Sequence, residues 1–174
     1  MLAVSCGAVG AYYYHTVSQD KTADVNLTAS PVKVKTAIAP VHTVNLDEQG
    51  RALHGYDPVA YFEKESPILG NDKTTLSWNN ATWQFSNEEN LARFKQNPEQ
   101  FKPANGGFCT FGVVLGKKFD GDPKVWMVKD KQLYVFLNKE VRDKFLQDEE
   151  GNMEKANKNW PDIKEKSPEE LEDE

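Results

Sequence analysis

Hydrophobic and polar positions along the chain become regular only after Gly50. The run Val59-Ala60-Tyr61-Phe62 is continuously apolar, and Pro58 is tolerated at the first position of a strand, so a short strand is predicted there. Leu76-Ser77-Trp78 and Ala81-Thr82-Trp83-Gln84-Phe85 alternate large apolar with polar residues around Asn79-Asn80. Asparagine tolerates positive φ, so this pattern predicts a β-hairpin with a two-residue turn and with Trp83 and Phe85 on its core face. Ser86 and Glu89 match a capping box heading a helix whose buried stripe is Leu91 and Phe94, and Asn97-Pro98 ends it. Residues 125–128 (VWMV) and 133–137 (LYVFL) predict a second strand pair joined through residues 129–132. Asn138 is placed to cap a helix carrying Val141, Phe145 and Leu146, with Gly151 as its C-terminal cap. A last helical piece ends at Trp160-Pro161. The sum is four to five short strands and about three packed helices, an α+β domain with a small antiparallel sheet over residues 50–161.

The remaining segments read differently. Residues 18–49 contain Pro31 and Pro40 and hold no sustained period, which predicts a flexible linker. Residues 1–17 carry no charge and are rich in small apolar residues, as a signal or membrane anchor would be. Ala3-Val4-Ser5-Cys6 resembles a lipidation box, which would make Cys6 the modified residue; so short a leader places the true start upstream on that reading. Residues 162–174 hold seven acids and two lysines, and so most of the net charge of −6; this composition predicts a solvated, disordered tail. With the acids gathered there and no basic stripe elsewhere, nothing on the chain suits a phosphate backbone, and nucleic acid is not an expected partner. Two cysteines, Cys6 and Cys109, exclude a disulfide framework and a four-cysteine zinc site by count.

Candidate chemistry concentrates in residues 105–123, where five glycines argue for bends and close backbone approaches. Cys109 lies in Gly106-Gly107-Phe108-Cys109-Thr110-Phe111-Gly112, and the glycines could let backbone N–H groups converge on a thiolate or an anion. The competing reading is a small buried hydrophobe, since free cysteine is among the most buried residue types. His54 is a second candidate metal or proton-handling group beside a surface role, and Tyr56 and Asp57 adjoin it. Asp57 before Pro58 is placed to fix a turn. Asp120-Gly121-Asp122-Pro123 is a turn, since the ligand series of a calcium loop does not continue beyond it.

The runs GYDPVAYF, WQFSNEENLARFKQNPEQF, GGFCTFG, DGDPKVW and NWP together resemble the exported, single-domain bacterial proteins of the YHS domain family, over residues 53–161. The resemblance implies a small domain of that family's fold. The wider family carries metal-binding thiolates at positions that fall here on Ala60, Ser86 and Asn90, and its histidine falls near Trp78-Asn79-Asn80, so each of those ligands is replaced. Three functions stay open. One is an extracytoplasmic binding module for copper, another soft metal or a small ligand, centred on Cys109 with Gly106, Gly107, Tyr56 and Asp57, and His54 as a further metal ligand. The second is a thiol-dependent redox protein using Cys109 with an external thiol. The third is a structural or interaction protein of the cell envelope, attached to the membrane through its N-terminus.

Overall fold

The computed structural model describes residues 42–172. The expected signal, linker and lipidation segments around Cys6 lie outside the described residues, apart from residues 42–49. The architecture is α+β, but the strands form two separate two-stranded antiparallel sheets rather than one. In chain order the elements are α1 (Ala60–Glu63), β1 (Asn71–Trp78), β2 (Ala81–Phe85), α2 (Glu88–Gln96), α3 (Pro98–Phe101), α4 (Thr110–Val114), β3 (Asp122–Lys129), β4 (Gln132–Phe136), α5 (Lys139–Leu146), α6 (Glu149–Ile163) and α7 (Pro168–Glu172). Seven helical segments thus stand among the described residues where three were expected.

The second half of this order repeats the first. Leu53, His54 and Gly55 turn with positive φ, and so do Asn105, Gly106 and Gly107. Each turn is preceded by a residue bridged in parallel to the following hairpin, Arg51 to Thr82 and Pro103 to Leu133. Each is followed by a short helix, α1 or α4, and then by a hairpin. The two hairpins share one register and one irregularity: Asn71–Phe85, Thr75–Gln84 and Leu76–Trp83 in the first become Asp122–Phe136, Trp126–Val135 and Met127–Tyr134 in the second. Both hairpins close on two left-handed residues, Asn79-Asn80 and Asp130-Lys131, the conformation that matches the twist of paired strands. Both lead into a helix capped by asparagine: the Asn87 side chain accepts from Asn90 N–H and the Asn138 side chain from Val141 N–H. Phe94 on α2 and Phe145 on α5 then occupy matching, fully buried core positions.

The cores follow this division. Trp83, Phe85 and Phe94 stack at centroid separations of 5.0 and 5.2 Å, with Leu53, Val59, Tyr61 and Phe101 around them. Phe136 and Phe145 pack at 5.1 Å with Cys109 in the second half. The third cluster joins Val113 of α4 to Ala156 and Ile163 of α6 and Leu171 of α7.

Several expectations are corrected. Residues 60–63 are helical, following a turn that Asp57 holds: its Oδ1 accepts from Val59 N–H at 2.9 Å and its carbonyl from Ala60 N–H at 3.3 Å. An apolar run of this length does not by itself separate strand from helix. Ser86 is not the helix cap; Asn87 is, and Ser86 turns to Asp57. Gly151 lies in the first turn of α6, its N–H donated to the capping Asp148, rather than ending α5. Pro161 lies inside α6, which runs to Ile163. The acidic residues after 161 are ordered as far as 172, since Leu171 is 1% exposed against the third cluster and its carbonyl accepts from Lys117 Nζ. Composition had assigned this segment to solvent, and one leucine on a short acidic helix reverses that. Residues 42–49 also belong to the fold: Asn45 is buried, its N–H donates to Gly106 O at 2.9 Å and its Nδ2 to Gly107 O at 3.2 Å.

Candidate functional site

The sequence-selected residues do not meet in one place. Asp57 is fully buried and its carboxylate is surrounded by donors. Oδ1 takes Val59 N–H, and Oδ2 takes Ser86 N–H at 2.8 Å, Ser86 Oγ–H at 2.6 Å and Asn90 Nδ2–H at 2.7 Å. Ala60 N–H donates to the Asp57 carbonyl at 3.3 Å. The three positions where the resemblance implies thiolates, Ala60, Ser86 and Asn90, therefore do converge, but on a carboxylate whose hydrogen-bonding capacity is used by the protein. Tyr56 is half-buried against the first core and is bridged to Leu69.

Cys109 follows the second left-handed turn as Asp57 follows the first, two residues after the closing glycine. Its surroundings are the apolar version of the same place. The residue is 1% exposed and packs with Phe136 and Phe145, with Phe111 and Val141 at the edge of the cluster, and its N–H is donated to Phe119 O at 2.9 Å. Cys109 lines none of the three main clefts of the described residues. His54 is held away from it at the surface, Nε2 lying 2.9 Å from Asp120 Oδ1, which also accepts from Asn45 Nδ2 at 2.6 Å. Among the described residues no group of three or more His, Cys, Asp or Glu side chains is arranged to hold a metal ion. The donor set expected for copper, Cys109 with His54, is not assembled, and a soft metal does not fit residues so placed. Gly106 and Gly107 serve the chain path: a Cβ on Gly106 would lie 2.0 Å from Thr43 O, and Gly107 has φ +84°.

The concave site lies elsewhere. A cleft of about 420 Å³ opens between the two hairpins, within the range of small-molecule sites. Trp78, Asn79 and Trp83 line it from the first hairpin and Gln132 and Tyr134 from the second, with Lys102 and the turn residues Asn105 and Gly106 between them. Asn157, Trp160 and Lys164 of the α6 region and Thr43 and Val44 complete the wall. Trp83 and Tyr134 occupy matching places in the two halves, so the cleft is a product of the repeat. Trp83 donates its indole N–H to the Trp78 carbonyl at 2.9 Å, which fixes the Trp83 ring. Gln132 Nε2 donates to Lys102 O at 2.7 Å. The side chains of Asn79, Asn157 and Lys164 have no hydrogen-bonding or ionic partner among the described residues.

Behind this wall sits Lys118, 4% exposed. Its ammonium donates to the carbonyls of His42 at 2.9 Å, Lys164 at 2.7 Å and Lys166 at 2.6 Å, which uses all three N–H bonds. It also stands 5.0 Å from the Phe108 ring centroid and 5.4 Å from that of Trp160, cation–π geometry. Burial pulls its pKa down to about 8, and Glu170 opposes the shift. Lys118 thus fastens the chain at residue 42 and the end of α6 to the segment before β3, and sets the Trp160 wall of the cleft. Burial, with Asp130 second, raises the pKa of Tyr134, so it lines the cleft as a neutral phenol.

Sequence reasoning reached Gly106 alone among the cleft residues. The matching turns at Asn79-Asn80 and Asp130-Lys131, each followed by aromatics and an asparagine cap, were the available signal; the identities shared between the halves are too few to stand out. Comparisons with protein-family models, with curated proteins and with solved structures find no match to the chain. The fold and the site define an α+β protein of two repeated hairpin–helix units with an aromatic and amide-lined cleft at their junction.

Proposed function

We propose that the chain is a binding module of YHS-like fold whose ligand occupies the cleft between the two hairpins. The reading rests on one observation: the indoles of Trp78 and Trp160 and the phenol of Tyr134 are brought, over the buried Trp83, to one small cleft in which two amides and an ammonium lack partners among the described residues. Aromatic walls with a few unengaged polar groups are the general make-up of small-molecule sites. The thiol readings are weaker, because a sulfur enclosed by phenyl rings offers no path to a metal, an oxidant or a second thiol. Attachment to the cell envelope through residues 1–17, with Cys6 as the lipidated residue, remains part of the proposal; no helix among the described residues is long and apolar enough to cross a membrane.

Indole N–H resonances test it directly. Of the four tryptophans, Trp78, Trp83 and Trp160 line the cleft, whereas Trp126 packs edge-on against Tyr61 and serves as an internal reference. Titration with a library of one- and two-ring fragments is expected to shift the three cleft indoles and leave Trp126 in place. Asn157→Trp, a substitution at an exposed lining position, should block those shifts without loss of stability. A library that moves no cleft indole, or moves all four alike, refutes the proposal.

A further inference from the structure

We infer that this cleft selects ring-bearing anions, with Lys164 as the contact for the anionic group; the inference rests on the binding-module reading above. The chain carries a net charge of −6, yet no aspartate or glutamate lines the cleft, and the charged residues that do are Lys102 and Lys164. Lys102 is engaged, its Nζ lying 2.5 Å from Glu99. Lys164 has no ionic partner among the described residues, and its charge is available to a ligand.

The position of Lys164 at the end of α6 would ordinarily work against an anion, because the last carbonyls of a helix present negative charge. Here that charge is offset in part, since Lys166 N–H takes Ile163 O and a buried cation stands just past the helix end. Lys118 takes the carbonyls of Lys164 and Lys166 and adds a buried positive charge against the same Trp160 ring that lines the cleft. The unengaged amides of Asn79 and Asn157 supply further donors. An anion there meets an ammonium and amide donors at the rim of the cleft, beside aromatic faces. A cationic ligand would meet the charge of Lys164, with no carboxylate in the lining to offset it.

Two probes with one ring system separate charge from shape: 1-naphthoate and the neutral 1-naphthalenemethanol, titrated against the full chain while the indole resonances are followed. Naphthoate is expected to bind at least about tenfold more tightly, a difference of about 1.4 kcal/mol. Lys164→Gln should bring naphthoate to the level of the alcohol and leave the alcohol unchanged. Lys158→Gln, an exposed change on α6 away from the cleft, should alter neither. Equal binding of the two probes, or a Lys164→Gln variant that keeps the preference, overturns the anion inference while the binding module stands. If neither probe moves Trp78, Trp83 or Trp160, the inference and the binding reading fall together.

Discussion

Removing the Asp57 carboxylate tests the account of the first half most sharply. Four donors point at it, and three of them, on Ser86 and Asn90, converge on one oxygen. In Asp57→Ala these donors lose their acceptor inside the fold; Asn90 Nδ2 retains only Ser86 Oγ, at 3.4 Å. Each buried donor left unsatisfied costs about 1–3 kcal/mol, and rotation of the Ser86 hydroxyl relieves part of the loss. The expected destabilisation is therefore about 3–5 kcal/mol, a large share of the roughly 5–15 kcal/mol that holds a typical domain. Asp57→Asn should cost nearly as much despite its similar shape, because one of its two positions becomes an NH₂ group facing N–H donors. Urea unfolding followed by tryptophan fluorescence gives both values. A cost below about 1 kcal/mol for Asp57→Asn would refute the reasoning, since it would mean the network does not depend on two accepting oxygens.

Cys109 should resist alkylation in the native protein and react only as fast as the chain unfolds, and Cys109→Ala should cost about 1–2 kcal/mol through the space left between Phe136 and Phe145; rapid native labelling would restore the thiol readings. Leu171→Ala should cost about 2–4 kcal/mol and release α7, read as lost amide protection over 168–172, if that helix is part of the core. For Lys118, burial holds the folded pKa at about 8 against an ordinary value of 10.5. Between those values the unfolded chain keeps a proton that the folded chain has lost, so the contribution of this side chain to stability rises with pH across that window. The stability difference between the wild type and Lys118→Met should therefore move in favour of the wild type as pH rises from about 8 to 10. A difference that stays flat contradicts the assignment.

What the sequence determined by itself was local. Asn79-Asn80 set the first hairpin, because few other residues accept two successive left-handed conformations, and Asn138 set the head of α5 through a side chain that reaches only three residues along. Alternation in β2 named the core aromatics Trp83 and Phe85, and helical spacing named Phe94 and Phe145. Tertiary structure decided whatever depended on partners far along the chain. Residues 60–63 became helical after a turn held by Asp57, and Ser86 left its expected capping role for a carboxylate 29 positions earlier. Leu171 ordered a segment whose composition pointed to solvent, because one buried side chain against Val113 and Ile163 outweighs a local charge count. The roles of Cys109 and Lys118 were likewise set by packing. A cysteine between glycines is equally suited to reaction or burial until the rings around it are placed, and a surface-type lysine becomes buried when three carbonyls from residues 42, 164 and 166 meet its ammonium. The cleft was the least legible feature, because its walls come from both repeats, the N-terminal approach and α6, and no short window of sequence contains them together.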